Sequence, residues 1–187
     1  MIDSHITKNK NNNMTEEVLE VNNTIKLKGY VEARIYDARY IQTNKDYLIA
    51  QNRGLLDKVT VWKDIGPNRI VDVGIQLIID YITGASILYP TYCQNGTGNT
   101  AVTAGDTALQ TPTSPRVAVA YKYRSGLSAK FDTFFDKNTE NSVWAETALF
   151  NDISAGTMLS RKIYASTFTK DTTKTATVAW VWTFTAS

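Results

Sequence analysis

The chain has 187 residues, of which 43% are hydrophobic and 20% are charged, with a formal net charge of +2, as is usual for a globular protein. It has no basic block of the kind that neutralises nucleic-acid phosphates. The longest apolar stretch, Ile75 to Ile82, is interrupted by Gln76 and Asp80 and is far shorter than the roughly 20 residues that cross a bilayer. We therefore expect neither nucleic acid nor a membrane as a partner.

The first 23 residues form a segment of their own. They are rich in Asn, Lys and Thr and poor in apolar side chains, a composition that does not fold alone. They also lack the apolar core of a secretory signal. We expect an extended polar arm over 1–23 that neighbouring proteins hold in place, on a chain that is released or used in the cytoplasm where it is made.

Strict alternation begins at Thr24 and predicts a half-buried strand. Tyr47 to Ala50 and Lys58 to Trp62 are predicted as further strands, the second ended by the breaker sequence Asp64 to Pro67. The apolar face of the first strand consists of Ile25, Leu27, Gly29, Val31, Ala33 and Ile35.

The hydrophobic period changes between Val71 and Ile82. Apolar residues there fall at helical spacing, and Gly84 stands where a left-handed C-cap would end the helix. We expect this to be the only substantial helix.

Short strands follow a glycine-rich loop. In the last of them, Val178, Trp180 and Trp182 share one bulky face. The spacing predicts a mainly β protein, a β-sandwich of about seven to eight strands with one helix, forming a single domain over 24–187. The other strands are predicted at Val117–Tyr123, Phe131–Phe135, Val143–Phe150 and Met158–Ala165.

The residues needed for common catalytic sites are scarce. The one histidine, His5, lies in the polar arm, so a Ser-His or Cys-His catalyst is not expected. One Cys and one remote His cannot supply a usual zinc ligand set, and Cys93 is expected to be a buried, inert thiol. Four carboxylates could pair as in a glycosidase, although solvated surface carboxylates are commoner. These are Asp132, Asp136, Glu140 and Glu146.

The glycine-rich loop, NGTGNTAVTAGDTAL from Asn95, lacks the Lys-Ser/Thr pair of a phosphate loop. Its glycines are therefore interpreted as turn residues. Asp106 lacks the spacing of a calcium loop and is interpreted as a cap for nearby backbone N–H groups. No catalytic, cofactor-binding or metal-binding residue is assigned, and no cofactor is expected.

Aromatic side chains offer another possibility, because flat rings stack on sugars. Trp180 and Trp182 share an apolar face and are expected in the core. Trp62 and Trp144 are kept as candidates for a sugar-binding platform.

The order of these signals resembles a structural module of tailed-phage virions, the N-terminal, collar-type region of P2-like tail-fibre proteins. That module has a first strand, an N-x-hydrophobic-T-x-x-G segment, a helix, a GTG or GDG loop, a P-x-x-x-D-T-A-L motif, an Arg, an E-x-G-L-F/Y motif and two final strands. The matching residues are Asn68 to Gly74, Gly96 to Gly98, Ala104 to Leu109, Arg116, Glu146 to Phe150 and Gly156 to Leu159.

The chain departs from that module at Ala148, which replaces a glycine, and before Ala104, where the proline is absent. No fibre shaft follows Ser187, so we expect a free-standing subunit or an adapter.

The resemblance implies a non-enzymatic virion protein. Such a protein self-associates and binds other particle proteins, as a tail or neck adapter, a fibre-attachment subunit or a capsid decoration protein. The threonine-rich face of the last strand, Thr175 to Thr185, suits packing against a neighbour, or is simply solvated. The alternative function is a carbohydrate-binding module that recognises host glycans through Trp62 or Trp144.

Overall fold

The computed structural model describes residues 25–85, 89–113 and 115–186. Within these ranges the chain forms nine strands and three helices. The polar arm predicted for residues 1–23 and His5 lie outside the described residues. The elements are β1 (Ile25–Asp37), α1 (Asn44–Asn52), α2 (Leu56–Val59), β2 (Thr60–Ile70), α3 (Asp72–Thr83), β3 (Tyr92–Gly96), β4 (Val117–Ala118), β5 (Tyr121–Ser125), β6 (Ser128–Phe135), β7 (Val143–Phe150), β8 (Met158–Thr169) and β9 (Lys174–Ala186).

All nine strands belong to one curled antiparallel sheet, in the order β4-β3-β7-β8-β2-β1-β9-β6-β5. β2 joins the two halves: it pairs along most of its length with β1, but with β8 only at Arg69 and Ile70. The mainly β prediction is confirmed. The two-layer sandwich with one helix is not, since the strands form one hydrogen-bonded sheet and three helices accompany it.

The core lies inside the curl of the sheet. Side chains of β1, β6 and β9 meet those of β3, β7 and β8 in one apolar cluster. Val31, Trp180 and Phe131 stand in one cross-strand row of this cluster, and Trp182 packs edge-on against Phe131 at 5.3 Å. The alternation predicted for the first and last strands is confirmed at these buried positions, because a period of two places successive side chains on opposite faces.

The predicted helix over 71–82 is confirmed as α3. Gly84 has φ of 76° at its C-cap, a left-handed conformation that favours glycine. Leu77 is buried on the sheet side of the helix.

The segment Tyr47–Ala50 is helical, so its prediction as a strand was wrong, as was that of a single substantial helix. Thr43 and Asp46 form a capping box at the start of α1, in which the Asp46 carboxylate accepts from the Thr43 N–H at 2.9 Å. A capping box satisfies free N–H groups at a helix start. A run of four apolar residues did not distinguish strand from helix.

The breaker predicted at Asp64–Pro67 was also wrong, because β2 runs through it. Gly66 and Pro67 are in register with Val31 and Tyr30 of β1. On its other side β2 pairs with β8 only at its last two residues, and a strand with an open side tolerates a proline.

The predicted strand Val117–Tyr123 is interrupted, giving β4 and β5. The N–H of Val119 donates to the Thr91 carbonyl at 2.7 Å, and that of Ala120 donates to the Asp132 carbonyl at 2.8 Å. Adjacent residues thus bond to different partners, which ends one strand and begins the other.

The threonine-rich face of β9 is partly covered by the protein itself. The Thr175 hydroxyl donates to the Ile41 carbonyl at 2.7 Å, and the Thr177 hydroxyl pairs with that of Tyr36 at 2.9 Å. Both threonines are buried. They cannot meet a neighbouring protein or solvent as expected, whereas Thr185 is exposed.

Candidate functional site

A buried ion-pair cluster joins the sequence motifs. Arg161 on β8 donates through Nε to Oε2 of Glu146 on β7 at 2.8 Å, and through Nη1 to Oδ2 of Asp106 at 2.7 Å. The side chains of Glu146 and Arg161 are 0% and 1% exposed. We call Arg161, Glu146 and Asp106 the clamp.

The clamp fastens the loop between β3 and β4 onto the sheet. Oε1 of Glu146 accepts from the N–H groups of Gly98 at 3.2 Å and Thr111 at 2.9 Å, and Oε2 accepts from that of Gln110 at 3.3 Å. Arg161 Nη2 donates to the Thr100 carbonyl at 3.2 Å. Because these N–H groups already bind a carboxylate, they do not form the anion cradle of a phosphate loop.

The loop glycines serve close packing. A Cβ atom at Gly96 would lie 2.5 Å from the Thr111 carbonyl oxygen, and one at Gly98 would lie 2.5 Å from Oε1 of Glu146. Gly96 ends β3, so its prediction as a turn residue was wrong, while Gly105 lies in a turn as predicted. Neither Gly96 nor Gly98 has positive φ. Gly105 has no heavy atom near its Cβ position.

Asp106 caps backbone as predicted and also enters the clamp. Its Oδ2 accepts from the Thr103 N–H at 3.2 Å, and its Oδ1 accepts from the Thr103 hydroxyl at 2.6 Å. Burial acts to raise its pKa, but hydrogen bonds from Thr103 and Arg161 outweigh burial and hold the pKa below its ordinary value.

Two other motif residues also have packing roles. The Arg116 guanidinium lies 3.6 Å from the centre of the Phe150 ring and donates to the Asp152 carbonyl at 2.7 Å. Gly74 lets α3 approach β8, since a Cβ there would collide with the Leu159 backbone. The pattern is therefore built from contacts that hold the loop and α3 to the sheet.

The four candidate carboxylates do not form one site. Asp136 is exposed and caps the Asn138 N–H at 2.7 Å. Glu140 is buried and accepts from Asn95 Nδ2 at 2.5 Å. Glu146 belongs to the clamp, while Asp132 and Asp136 line two different clefts. The four carboxylates thus lie in separate environments. The favoured prediction, a solvated surface carboxylate, is confirmed for Asp136 and was wrong for the other three, which are buried.

The tryptophans and the cysteine are mostly core residues. Trp180 and Trp182 are buried as predicted, and Trp144 is 0% exposed, with no face free for a sugar. Trp62 is partly buried and packs against Tyr164 and Phe168 with ring centres 5.5 and 5.4 Å away. Cys93 is buried as predicted, and burial raises the pKa of its thiol to about 12.

A cleft of about 240 Å³ lies on the outer face of β1, β9 and β6, beside α1 and α2. Asp132 and Glu32 line it in one cross-strand row, with Ala179 between them. Tyr47 of α1 lines it as well. Sequence reasoning missed Glu32 and Tyr47, because the strand pairing that brings them to Asp132 joins distant parts of the chain.

Asp132 is 6% exposed. Burial raises the pKa of its carboxyl to about 6, the nearby Lys130 charge partly offsets this, and the Glu32 charge adds to it.

We expect Asp132→Asn to stabilise the protein above pH 6. The native Asp132 holds its proton up to about pH 6, while the unfolded carboxyl loses it near pH ~4. Its contribution to stability therefore falls as pH rises between these values. Denaturant unfolding should show similar stabilities for both proteins near pH 4 and a gain of about 2 kcal/mol for the variant at pH 7.

The control is Asp80→Asn, at an exposed site on α3. It also removes one negative charge, so it measures the effect of net charge alone on stability. A difference between wild type and Asp132→Asn that stays constant from pH 4 to 8 would contradict the raised pKa.

None of the helices in the described ranges has the length and apolar character that a bilayer span requires. In the same part of the chain, no group of three or more His, Cys, Asp or Glu side chains could hold a metal ion. Comparison of this chain with protein-family models, with curated proteins and with solved structures finds no match in any of the three.

Proposed function

We propose that this chain is a non-enzymatic structural protein of a tailed-phage virion that associates with copies of itself and with neighbouring particle proteins. The observation that carries the proposal is the outer face of α3. Ile75, Ile79 and Ile82 are 43%, 53% and 75% exposed. Their spacing of four and three residues places them on one side of the helix.

Two features suit this face to a second copy of the chain. The exposed stripe of Ile75, Ile79 and Ile82 is apolar, so a partner that packs against it needs no complementary charge. A stripe of one chemistry can also pack against its own copy about a two-fold axis, as in most homo-oligomers. Meanwhile Gly74 and Leu77 anchor the opposite side of α3 to the protein.

The assignment to a phage particle rests on the resemblance. Its support is that residues from three separate motifs, Gly96 to Gly98, Asp106 and Glu146, meet at one buried clamp. The pattern thus corresponds to a structural unit with loop-fastening contacts, which agrees with an assembly module. Labelling of particles with an antibody against this chain would show whether it lies in the tail, the neck or the head.

We expect the double variant Ile79→Lys with Ile82→Lys to lose self-association. Burying two ammonium groups in place of two isoleucines should weaken the contact by at least about a hundredfold. Light scattering over a range of concentrations would measure mass, and complementation of a phage that lacks the gene would measure incorporation into particles.

The matched control is Ile49→Lys with Ile65→Lys, which places two lysines at exposed isoleucines of α1 and β2. Normal mass and incorporation of the α3 variant would remove α3 as the contact. Failure to find the wild-type chain in purified particles would overturn the proposed function itself.

A further inference from the structure

The cleft beside α1 contains two buried polar groups that face open space. Asp132 is 6% and Tyr47 is 4% exposed, and both line the cleft. Within the described part of the chain, no hydrogen bond joins the Asp132 carboxylate or the Tyr47 hydroxyl to another residue, and neither group is fully enclosed, so a molecule in the cleft can reach both. Buried polar groups in native proteins normally have such partners. A ligand with hydroxyl groups would supply them.

Strand alternation explains why Asp132 points outward. Its neighbours Phe131 and Thr133 are buried on the inner face of β6, and Phe131 belongs to the core cluster. Asp132 therefore lies on the opposite face, where Tyr47 and Gln51 of α1 line the same cleft. The carboxylate is held on β6, which is hydrogen-bonded to β9 on one side and to β5 on the other, a rigid position for a binding group.

The charge of the cleft indicates a neutral ligand. Four charged side chains line it: Glu32, Arg34, Lys130 and Asp132. Two are acidic and two are basic, so their formal charges sum to zero. Arg34 is ion-paired with Glu32 and, at 2.5 Å, with Asp57. A charged ligand would leave the cleft with an uncompensated charge, whereas a polyol would not.

Two tyrosines stand at opposite ends of one cross-strand row. Tyr123, Lys130, Val181 and Tyr30 follow one another across β5, β6, β9 and β1. Three strand spacings separate the two tyrosines, about 14 Å at ~4.8 Å per spacing. Tyr30 and Tyr123 are 38% and 44% exposed. The Lys130 ammonium lies 5.6 Å from the centre of the Tyr123 ring, and the exposed ring surface of either tyrosine can pack against an apolar face.

We propose that this cleft binds one ring of a neutral saccharide. The Asp132 carboxylate and the Tyr47 hydroxyl would accept hydrogen bonds from ring hydroxyls, Lys130 would donate, and Tyr30 or Tyr123 would cover the apolar face. The cleft volume of about 240 Å³ equals that of about eight water molecules at ~30 Å³ each, which admits a single ring. No tryptophan of the described residues lines this cleft, so the site differs from the platform considered for Trp62 and Trp144.

The test is an amide NMR titration of the full chain with the methyl glycosides of glucose, galactose, mannose and N-acetylglucosamine. A cleft of this size predicts weak binding, with Kd on the order of millimolar. We expect saturable shifts for at least one glycoside at the amides of Lys130, Asp132, Ala179 and Val181. Asp132→Asn and the double variant Tyr30→Ala with Tyr123→Ala should each weaken binding at least about tenfold, because the first removes the charge and one acceptor oxygen and the second removes both candidate ring faces.

Asp136→Asn and Tyr40→Ala, at exposed positions outside the cleft, should bind like wild type. The native spectrum of Asp132→Asn in the same titration verifies its fold. Absence of saturable shifts with all four glycosides would overturn the proposal, as would shifts that Asp132→Asn leaves unchanged. If Asp132→Asn loses saccharide binding but is incorporated normally into particles, the saccharide site and the proposed structural function are independent.

Discussion

Replacing Arg161 by leucine is expected to destabilise the protein by about 3–5 kcal/mol, because it leaves a buried carboxylate without its cation. Glu146 and Asp106 both lose their ion pair in this variant. The backbone N–H groups that bind Glu146 retain part of its stabilisation, so a folded variant is expected. Urea denaturation would give the free energy of unfolding.

The control for this variant is Arg69→Leu. Arg69 stands directly opposite Arg161 in the β2–β8 ladder, but its side chain is exposed. A surface substitution of this kind is expected to change stability by less than about 0.5 kcal/mol. Equal losses for the two leucine variants would show that the clamp contributes little.

A double variant, Glu146→Leu with Arg161→Leu, distinguishes pairing from packing. Removing both members leaves no unpaired charge between them, so its loss should be smaller than the sum of the two single losses. An additive result would mean that each side chain acts through its own packing.

The elements with a long, clear hydrophobic period were the most predictable from the sequence. β1, β9 and α3 each carry a pattern of ten or more residues that only one type of structure buries. The helix α1 has no such pattern. Its start is encoded by Thr43 and Asp46, whose spacing of three residues was available in the sequence as a capping signal.

The clamp was only half predictable. Glu146 and Asp106 stood out as motif residues, but Arg161 did not, since an arginine between Ser160 and Lys162 reads as a solvated strand position. Its burial depends on a loop that lies 55 positions earlier in the chain. The sequence pattern of one strand cannot specify which of its residues a distant loop will cover. The cleft was unpredictable for the same reason.

Gly96→Ala is expected to destabilise the protein by about 1–3 kcal/mol, the usual range for an overpacked site. The new methyl group would lie 2.5 Å from the Thr111 carbonyl oxygen and 2.6 Å from Oε1 of Glu146. The first obstacle is backbone, which cannot rotate away as a side chain end can. Moving it would also stretch the bond from the Thr111 N–H to Glu146, so the loss should include part of the clamp.

Gly105→Ala, in the same loop, is the matched control. No heavy atom lies within 4 Å of its Cβ position, and its φ is not positive. Alanine there restricts the unfolded chain and should leave stability unchanged or raise it by about 0.4–1 kcal/mol. Urea denaturation of both variants separates the two roles of glycine. A loss confined to Gly96→Ala would show that Gly96 is required for close approach to the clamp, while similar losses for both variants would contradict that role.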